Sequence, residues 1–305
     1  MLKKNRLAAL LLAPCLCLSL AACSGGNSAA TPAPADTEPV ETIGGADGPT
    51  DILLTEEESD VAYIQDKGTL VVGITNFEPM DYRDASGEWI GFDADMAKAF
   101  AESLGVEAEF VEINWDNKVL ELDGKSIDCV WNGMTLTDEV KSAMSTGNAY
   151  CLNAQVVVVP AGKAADYQTE ESLKDLSFAV ESGSAGEDEV ERLGCSFTPV
   201  QTQANALLEV KAGTSDAAII DLLMAGAMIG EGTSYPDLTY TVKLNSEEYG
   251  VGFRKGSDLA EAFNTFWEAA YADGTVMTAA ETYGVQESLI ETRLSSARHL
   301  PNFIR

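Results

Sequence analysis

The sequence predicts an α/β protein folded as two similar lobes around a cleft, and three observations carry that prediction. From Thr69 onward, apolar β-rich runs alternate with amphipathic helical stretches, the pattern of sheets covered by helices. The alternation comes as two successive series, with the chain crossing between them twice, which implies a hinge of two crossing segments. The chain has 305 residues, 46% of them hydrophobic, enough to bury a core in each of two modest lobes. Residues 56–152 with 247–292 are expected to form lobe 1 and residues 153–246 lobe 2, leaving 293–305 as a C-terminal tail.

In the first series "TLVVGI" reads as a strand. "FDADMAKAFAESLG" reads as a helix, since Met96, Phe100 and Leu104 recur every four residues and Gly105 stands in the usual stop position. "EAEFVEI" (strand), "NKVLELDG" (helix) and "SIDCVW" (strand) follow, leading into the polar turn "WNGMTLT". In open α/β sheets, ligands sit at the carboxyl ends of strands, where this turn falls. The second series runs from "QVVVV" (155–159) through "LSFAVE", a helix starting near Gly186, "FTPV", a helix over 203–212, "SDAAII", and a helix over 221–230. "LTYTVKL" and "EYGVGFRK" then return the chain, and amphipathic helices over 257–273 and 275–291 close it.

Composition excludes several function classes. With 49 acidic against 19 basic residues, the net charge is −30. A chain so acidic is repelled by phosphate backbones and anionic head groups, so no nucleic-acid partner is expected. The single histidine, His299, lies near the C-terminus, which removes histidine triads and His-rich metal sites; no metal or cofactor is expected. Cys129, Cys151 and Cys195 are odd in number and at no metal-ligand spacing. They allow at most one bridge, for which Cys129–Cys151 is a possible pair.

Residues 1–22 read as a signal peptide: basic Lys3, Lys4 and Arg6, a short apolar run broken by Pro14, and small residues before Cys23. Leu20-Ala21-Ala22-Cys23 resembles the lipobox of bacterial lipoproteins, which implies acylation of Cys23. Residues 23–55, rich in Ser, Gly, Ala, Thr, Pro and acids, then form a lipidated flexible tether. Within it "IGGADGPTDI" (43–52) is similar to a short segment of sodium-pumping decarboxylase subunits, too short to carry that function.

The segments "LVVGITNFEPMDYRDASGEWIGFDADMAKAFAESLGV", "IDCVWNGMTLT", "FAVESGSAGE", "SDAAIID" and "EEYGVGFRKGSDL" together resemble bacterial extracellular solute-binding proteins of the amino-acid type, family 3. The resemblance spans about Leu70 to Ile290. It implies the periplasmic-binding-protein type II fold and a monomeric, extracytoplasmic receptor held to the cell membrane by its lipid anchor. Such a receptor captures an amino acid or related amine-bearing solute by lobe closure and delivers it to ABC permease subunits. Two alternatives share the fold: a cleft enzyme of the dehydratase type, in which Glu181 at the end of "LSFAVE" would be the acid or base, and a sensor-type binding protein.

The resemblance also implies the site residues. Phe77 stands where the family presents an aromatic ring to the ligand, although a loop aromatic tucked into the lobe core fits equally. The Gly133 carbonyl and Thr135 hydroxyl match the pair that holds a ligand α-amino group, while Thr137 suits the cap of the next helix. Ser184 and Ala185 open a helix whose free N–H groups and dipole favour a carboxylate. Asp221 matches the acidic partner of the amine, and a helix-capping role is compatible with its place. The family's carboxylate-clamping arginine is replaced by Val140, with Lys141 about 100° around the helix. Lys118, alongside Trp115 and Asn132, is the candidate substitute from lobe 1.

Overall fold

The computed structural model describes residues 59–291. The expected signal peptide, Cys23, the tether and the 293–305 tail lie outside those residues. Among the described residues, no helix is long and apolar enough to cross a membrane.

Lobe 1 opens with α1 (Asp60–Lys67), β1 (Thr69–Ile74), the hairpin β2 (Tyr82–Arg83) and β3 (Trp89–Ile90), α2 (Phe92–Ser103) and β4 (Glu107–Glu112). A 3-10 turn at Trp115–Asn117 leads into α3 (Lys118–Asp123), β5 (Cys129–Val130), α4 (Asp138–Ala143), β6 (Ser145–Thr146) and β7 (Cys151–Asn153). Lobe 2 contains β8 (Gln155–Pro160), β9 (Ser177–Glu181), α5 (Ala185–Leu193), β10 (Ser196–Val200), α6 (Gln203–Ala212), β11 (Ala217–Asp221), α7 (Leu222–Met228) and β12 (Leu238–Lys243). The chain returns through β13 (Glu247–Tyr249) and β14 (Gly252–Phe253) and ends in α8 (Leu259–Ala272) and α9 (Thr275–Tyr283).

Each lobe is built on one five-stranded sheet, in the orders β4-β1-β5-β14-β6 and β10-β9-β11-β8-β12. In the first, β1 runs parallel to β4 and β5, and in the second β9 runs parallel to β10 and β11. The two crossing segments, β7 and β13, pair antiparallel, with Glu247 opposite Asn153 and Tyr249 opposite Cys151. This ribbon is the hinge.

Helix limits follow from local chemistry. The Thr202 hydroxyl accepts the Asn205 N–H at 3.1 Å to start α6, and left-handed Gly213 (φ 74°) stops it. In α8 the buried residues Leu259, Phe263, Trp267 and Ala270 form one stripe, the 3.6-residue period that places the helix against the lobe 1 core. There Trp131 meets Phe263 edge-on, with ring centroids 5.1 Å apart at 85°. In lobe 2, β8 and β11 are covered on both faces, so Val156–Val159 and Ala217–Ile220 are buried without alternation.

Three local features differ from expectation. The strand expected over 126–131 narrows to Cys129–Val130, because the Asp128 carboxylate itself accepts the Val71 N–H at 2.7 Å where the ladder would continue. The last helix ends at Tyr283, short of residue 291, because Gly284 takes the left-handed conformation (φ 74°) that closes a helix. Cys129, Cys151 and Cys195 are free thiols, all buried, so the allowed bridge is not formed.

Arg254 ties lobe 1 together from the inside. Its Nε and Nη2 donate to the Asp60 carboxylate at 3.1 and 3.0 Å, and its Nη1 donates to the Ile127 carbonyl at 2.9 Å. Burial would raise the Asp60 pKa, but the hydrogen bonds from Arg254 and Ser257 more than offset it and leave Asp60 below the usual carboxylate range. Arg254→Leu strands Asp60 and is expected to cost about 3–5 kcal/mol in urea unfolding. Lys98→Ala, which removes the half-exposed pair with Asp95 and a hydrogen bond to the Trp89 carbonyl at 2.6 Å, is expected to cost less, about 1–2 kcal/mol in the same assay.

Candidate ligand-binding cleft

The carboxyl ends of β5, β9 and β11 converge on a cavity of about 240 Å³ between the two sheets. That is the size of a small molecule, at the low end for ligand pockets (roughly 300–1,000 Å³). Trp115, Lys118, Asn132, Gly133, Thr135, Glu181, Ser184, Ala185 and Asp221 all line it. Phe77 does not: it is buried edge-on against Tyr249 (centroids 6.3 Å apart at 82°), so the structure takes the core alternative for this ring. It fills the space where Gly133 would carry a side chain, since a Cβ there would lie 2.5 Å from the Phe77 ring.

Lobe 1 supplies one wall. Asn132 spends its side chain on Thr75, accepting the Thr75 N–H and donating to its hydroxyl, both at 2.9 Å, which fixes the end of β5 against β1. The Gly133 N–H donates to the buried Asp93 carboxylate at 2.6 Å. Thr137 caps α4, accepting the Val140 N–H at 3.1 Å, which leaves Thr135 free of that duty. The Thr135 hydroxyl donates instead to Glu247 at 3.0 Å. Val140 reaches the cavity from an apolar cluster that includes Met134, Val130 and Trp115.

Lobe 2 supplies the other wall. Asp221 makes no helix-capping hydrogen bond. Its carboxylate accepts from Asn153 and Gln203, from Gln155 at 2.9 Å and from the Tyr249 hydroxyl at 2.7 Å. Ser184 caps α5 by accepting the Glu187 N–H at 3.2 Å. The Glu187 carboxylate folds back onto the Gly183 N–H at 2.6 Å. Gly183 (φ 72°) meets the opposite lobe directly, for a Cβ there would fall 2.7 Å from Asp116 Cα. Lys118 crosses the same gap, its Nζ donating to the Gly183 carbonyl at 2.9 Å and lying 5.1 Å from the centre of the Trp115 ring.

The electrostatics are one-sided. Among the described residues, Asp116, Glu139, Glu181, Glu187, Asp188 and Asp221 line the cavity against Lys118 alone. Burial, then the neighbouring Asp221 charge, pushes the Glu181 pKa up to about 8, and its Oε1 has no hydrogen-bond partner. Burial, then Glu247, also raises Asp221. Burial lowers Lys118, against the opposing pull of Glu139 and Glu181. Such a site attracts cations and repels anions.

Sequence reasoning missed Gln155, Gln203 and Glu247. Each is a polar residue within or beside an apolar or crossing element, and that placement was the available signal.

Two lobes, a two-strand hinge and a polar cavity between strand ends define a cleft-type binding protein. The profile of bacterial extracellular solute-binding proteins, family 3, matches residues 70–286, and the chain belongs to that family. It is similar to the L-cystine-binding protein TcyJ of Escherichia coli K12, at 27% identity over 224 residues, covering 72% of this chain and 84% of that protein. It is also 30% identical over 207 residues to the arginine-binding extracellular protein ArtP of Bacillus subtilis 168, covering 65% and 79%. A solved ABC uptake transporter substrate-binding protein from Streptococcus pneumoniae with bound histidine superposes with a TM-score of 0.69 at 26% identity, covering 77% of this chain and all of that one.

The raised Glu181 and Asp221 pKa values fix a pH dependence. Each folded value lies above the unfolded one of about 4, so the folded state binds extra protons between about pH 4 and 8. Stability is then highest at the acid end of this window and falls as pH rises toward about 8. Without added ligand, the thermal midpoint is expected to fall between pH 5 and 8.5. Glu181→Gln and Asp221→Asn should each flatten the fall relative to wild type. An unchanged slope in both variants would show that neither carboxyl is protonated at neutral pH.

Proposed function

We propose that this chain is an extracytoplasmic substrate-binding lipoprotein of an ABC importer, capturing an amino acid or related amine-bearing small polar solute by lobe closure. It acts as a monomer, delivers its ligand unchanged to permease subunits, and is held at the membrane through Cys23. Residues 56–152 with 247–292 move as one lobe against 153–246. The observation that carries this reading is the pair of buried carboxyl groups, Glu181 and Asp221, facing a small cavity with a single lysine on its wall. A ligand ammonium would supply the charge partner that they lack among their neighbours. The relatives named for cystine, arginine and histidine support an amine as the shared group.

Asp221→Asn is expected to weaken ligand binding by roughly 2–5 kcal/mol, mainly through faster release, because the bound ammonium is left buried and unpaired. Calorimetry with a ligand found by thermal-shift screening measures this, and unaltered affinity would move the amine site elsewhere. Cys23→Ala is expected to yield protein of unlipidated mass in the soluble fraction. Membrane retention of that variant at unchanged mass would exclude the anchor.

A further inference from the structure

We infer that the cleft prefers an organic dication without a carboxylate, such as an aliphatic diamine or an amino-guanidine, over a zwitterionic amino acid. The inference rests on the reading of the cleft as an amine receptor and specifies what the remainder of the ligand carries.

Two groups that could hold a ligand carboxylate, the Lys118 ammonium and the Gly183 N–H, are already engaged. Lys118 is the one basic side chain among the described residues on the cavity wall, and it donates to the carbonyls of Gly183 at 2.9 Å and Trp115 at 3.3 Å. At the start of α5 the Gly183 N–H is taken by Glu187 and the Ser184 hydroxyl accepts the Glu187 N–H, so of the amides at this terminus only those of Ala185 and Gly186 remain for a ligand. Glu187 and Asp188, in the first turn, place two carboxylates at that spot. A ligand carboxylate arriving there meets like charges in a partly desolvated cleft. On the facing wall Val140 offers only methyl groups.

The cavity instead has acidic groups in two places. Glu181 and Asp221 form one, and the Glu181 Oε1 is buried without a partner, an acceptor waiting for a donor. Glu139 from lobe 1 and Asp188 from lobe 2 form the other. They are close enough for the Glu139 charge to be the largest contributor, after burial, to the raised Asp188 pKa. A ligand with a cation at each end satisfies both places. Because Glu139 and Asp188 belong to different lobes, the second cation also offsets their mutual repulsion as the cleft shuts.

The test is titration calorimetry of the purified full chain with two matched pairs, lysine against 1,5-diaminopentane and arginine against 4-aminobutylguanidine, plus 1-aminopentane. The decarboxylated member of each pair should bind at least tenfold more tightly than its amino acid, and 1,5-diaminopentane at least tenfold more tightly than 1-aminopentane. Glu187→Gln should narrow the amino-acid disadvantage severalfold in both pairs. Equal or tighter binding of lysine and arginine overturns this inference while leaving the amine receptor standing. Equal binding of 1-aminopentane and the diamine overturns the second cation position, and an unchanged ratio in Glu187→Gln overturns the role given to that carboxylate. Binding by none of the five compounds overturns both the inference and the amine reading beneath it.

Discussion

The sharing of amide donors between Asp221 and Glu247 organises the rest of the molecule. Asn153 and Gln155 each donate to both carboxylates, Gln203 and Tyr249 add to Asp221, and Thr135 adds to Glu247. These donors come from both crossing strands, from one strand (β8) and one helix (α6) of lobe 2, and from the turn after β5. A carboxyl group out of water is tolerated only when its lone pairs are filled. The network therefore fixes where the crossing ribbon meets the second sheet, and so where the cleft opens. Moving α6 would strand the Asp221 Oδ2, whose one donor among the described residues is Gln203.

The network is costly as well as organising. Asp221, and Glu181 beside it, have raised proton affinity and so lower stability at neutral pH, and that cost is offset elsewhere by apolar burial. Lobe 1 carries an aromatic cluster of Phe100, Trp131, Tyr150, Phe253, Phe263 and Trp267, while the central strands β8, β9 and β11 of the lobe 2 sheet are buried on both faces. The binding surface is thus a polar seam between two dry interiors.

Much of the fold was legible because it is written in short-range pattern. The period of Met96 and Phe100, the glycine that follows α2 and the unbroken valines of β8 each fix an element with no knowledge of its neighbours. The cleft was partly legible for the same reason, since Gly133, Ser184 and Asp221 follow strand ends. Glu247 was not, because its inward position depends on the β7–β13 register, which joins residues 94 apart in sequence. Phe77 pointed both ways for a similar reason. Whether a loop ring faces cavity or core depends on Tyr249, which arrives on the returning strand. The acids after Ser184 were visible in "GSAGEDE", but that one of them folds back onto the Gly183 amide is a side-chain conformation no pattern encodes.

The missing side chain at Gly183 has a consequence for how the molecule keeps its shape when shut. The two lobes meet there main chain to main chain, with no room for even a methyl group, while Lys118 reaches across beside the contact. A door that closes on its frame has a fixed final angle however hard it is pulled. The approach of the two lobes is limited there by one bare backbone position, Gly183 against Asp116. A membrane partner that grips both lobes would read the same geometry for any ligand small enough to let Gly183 seat.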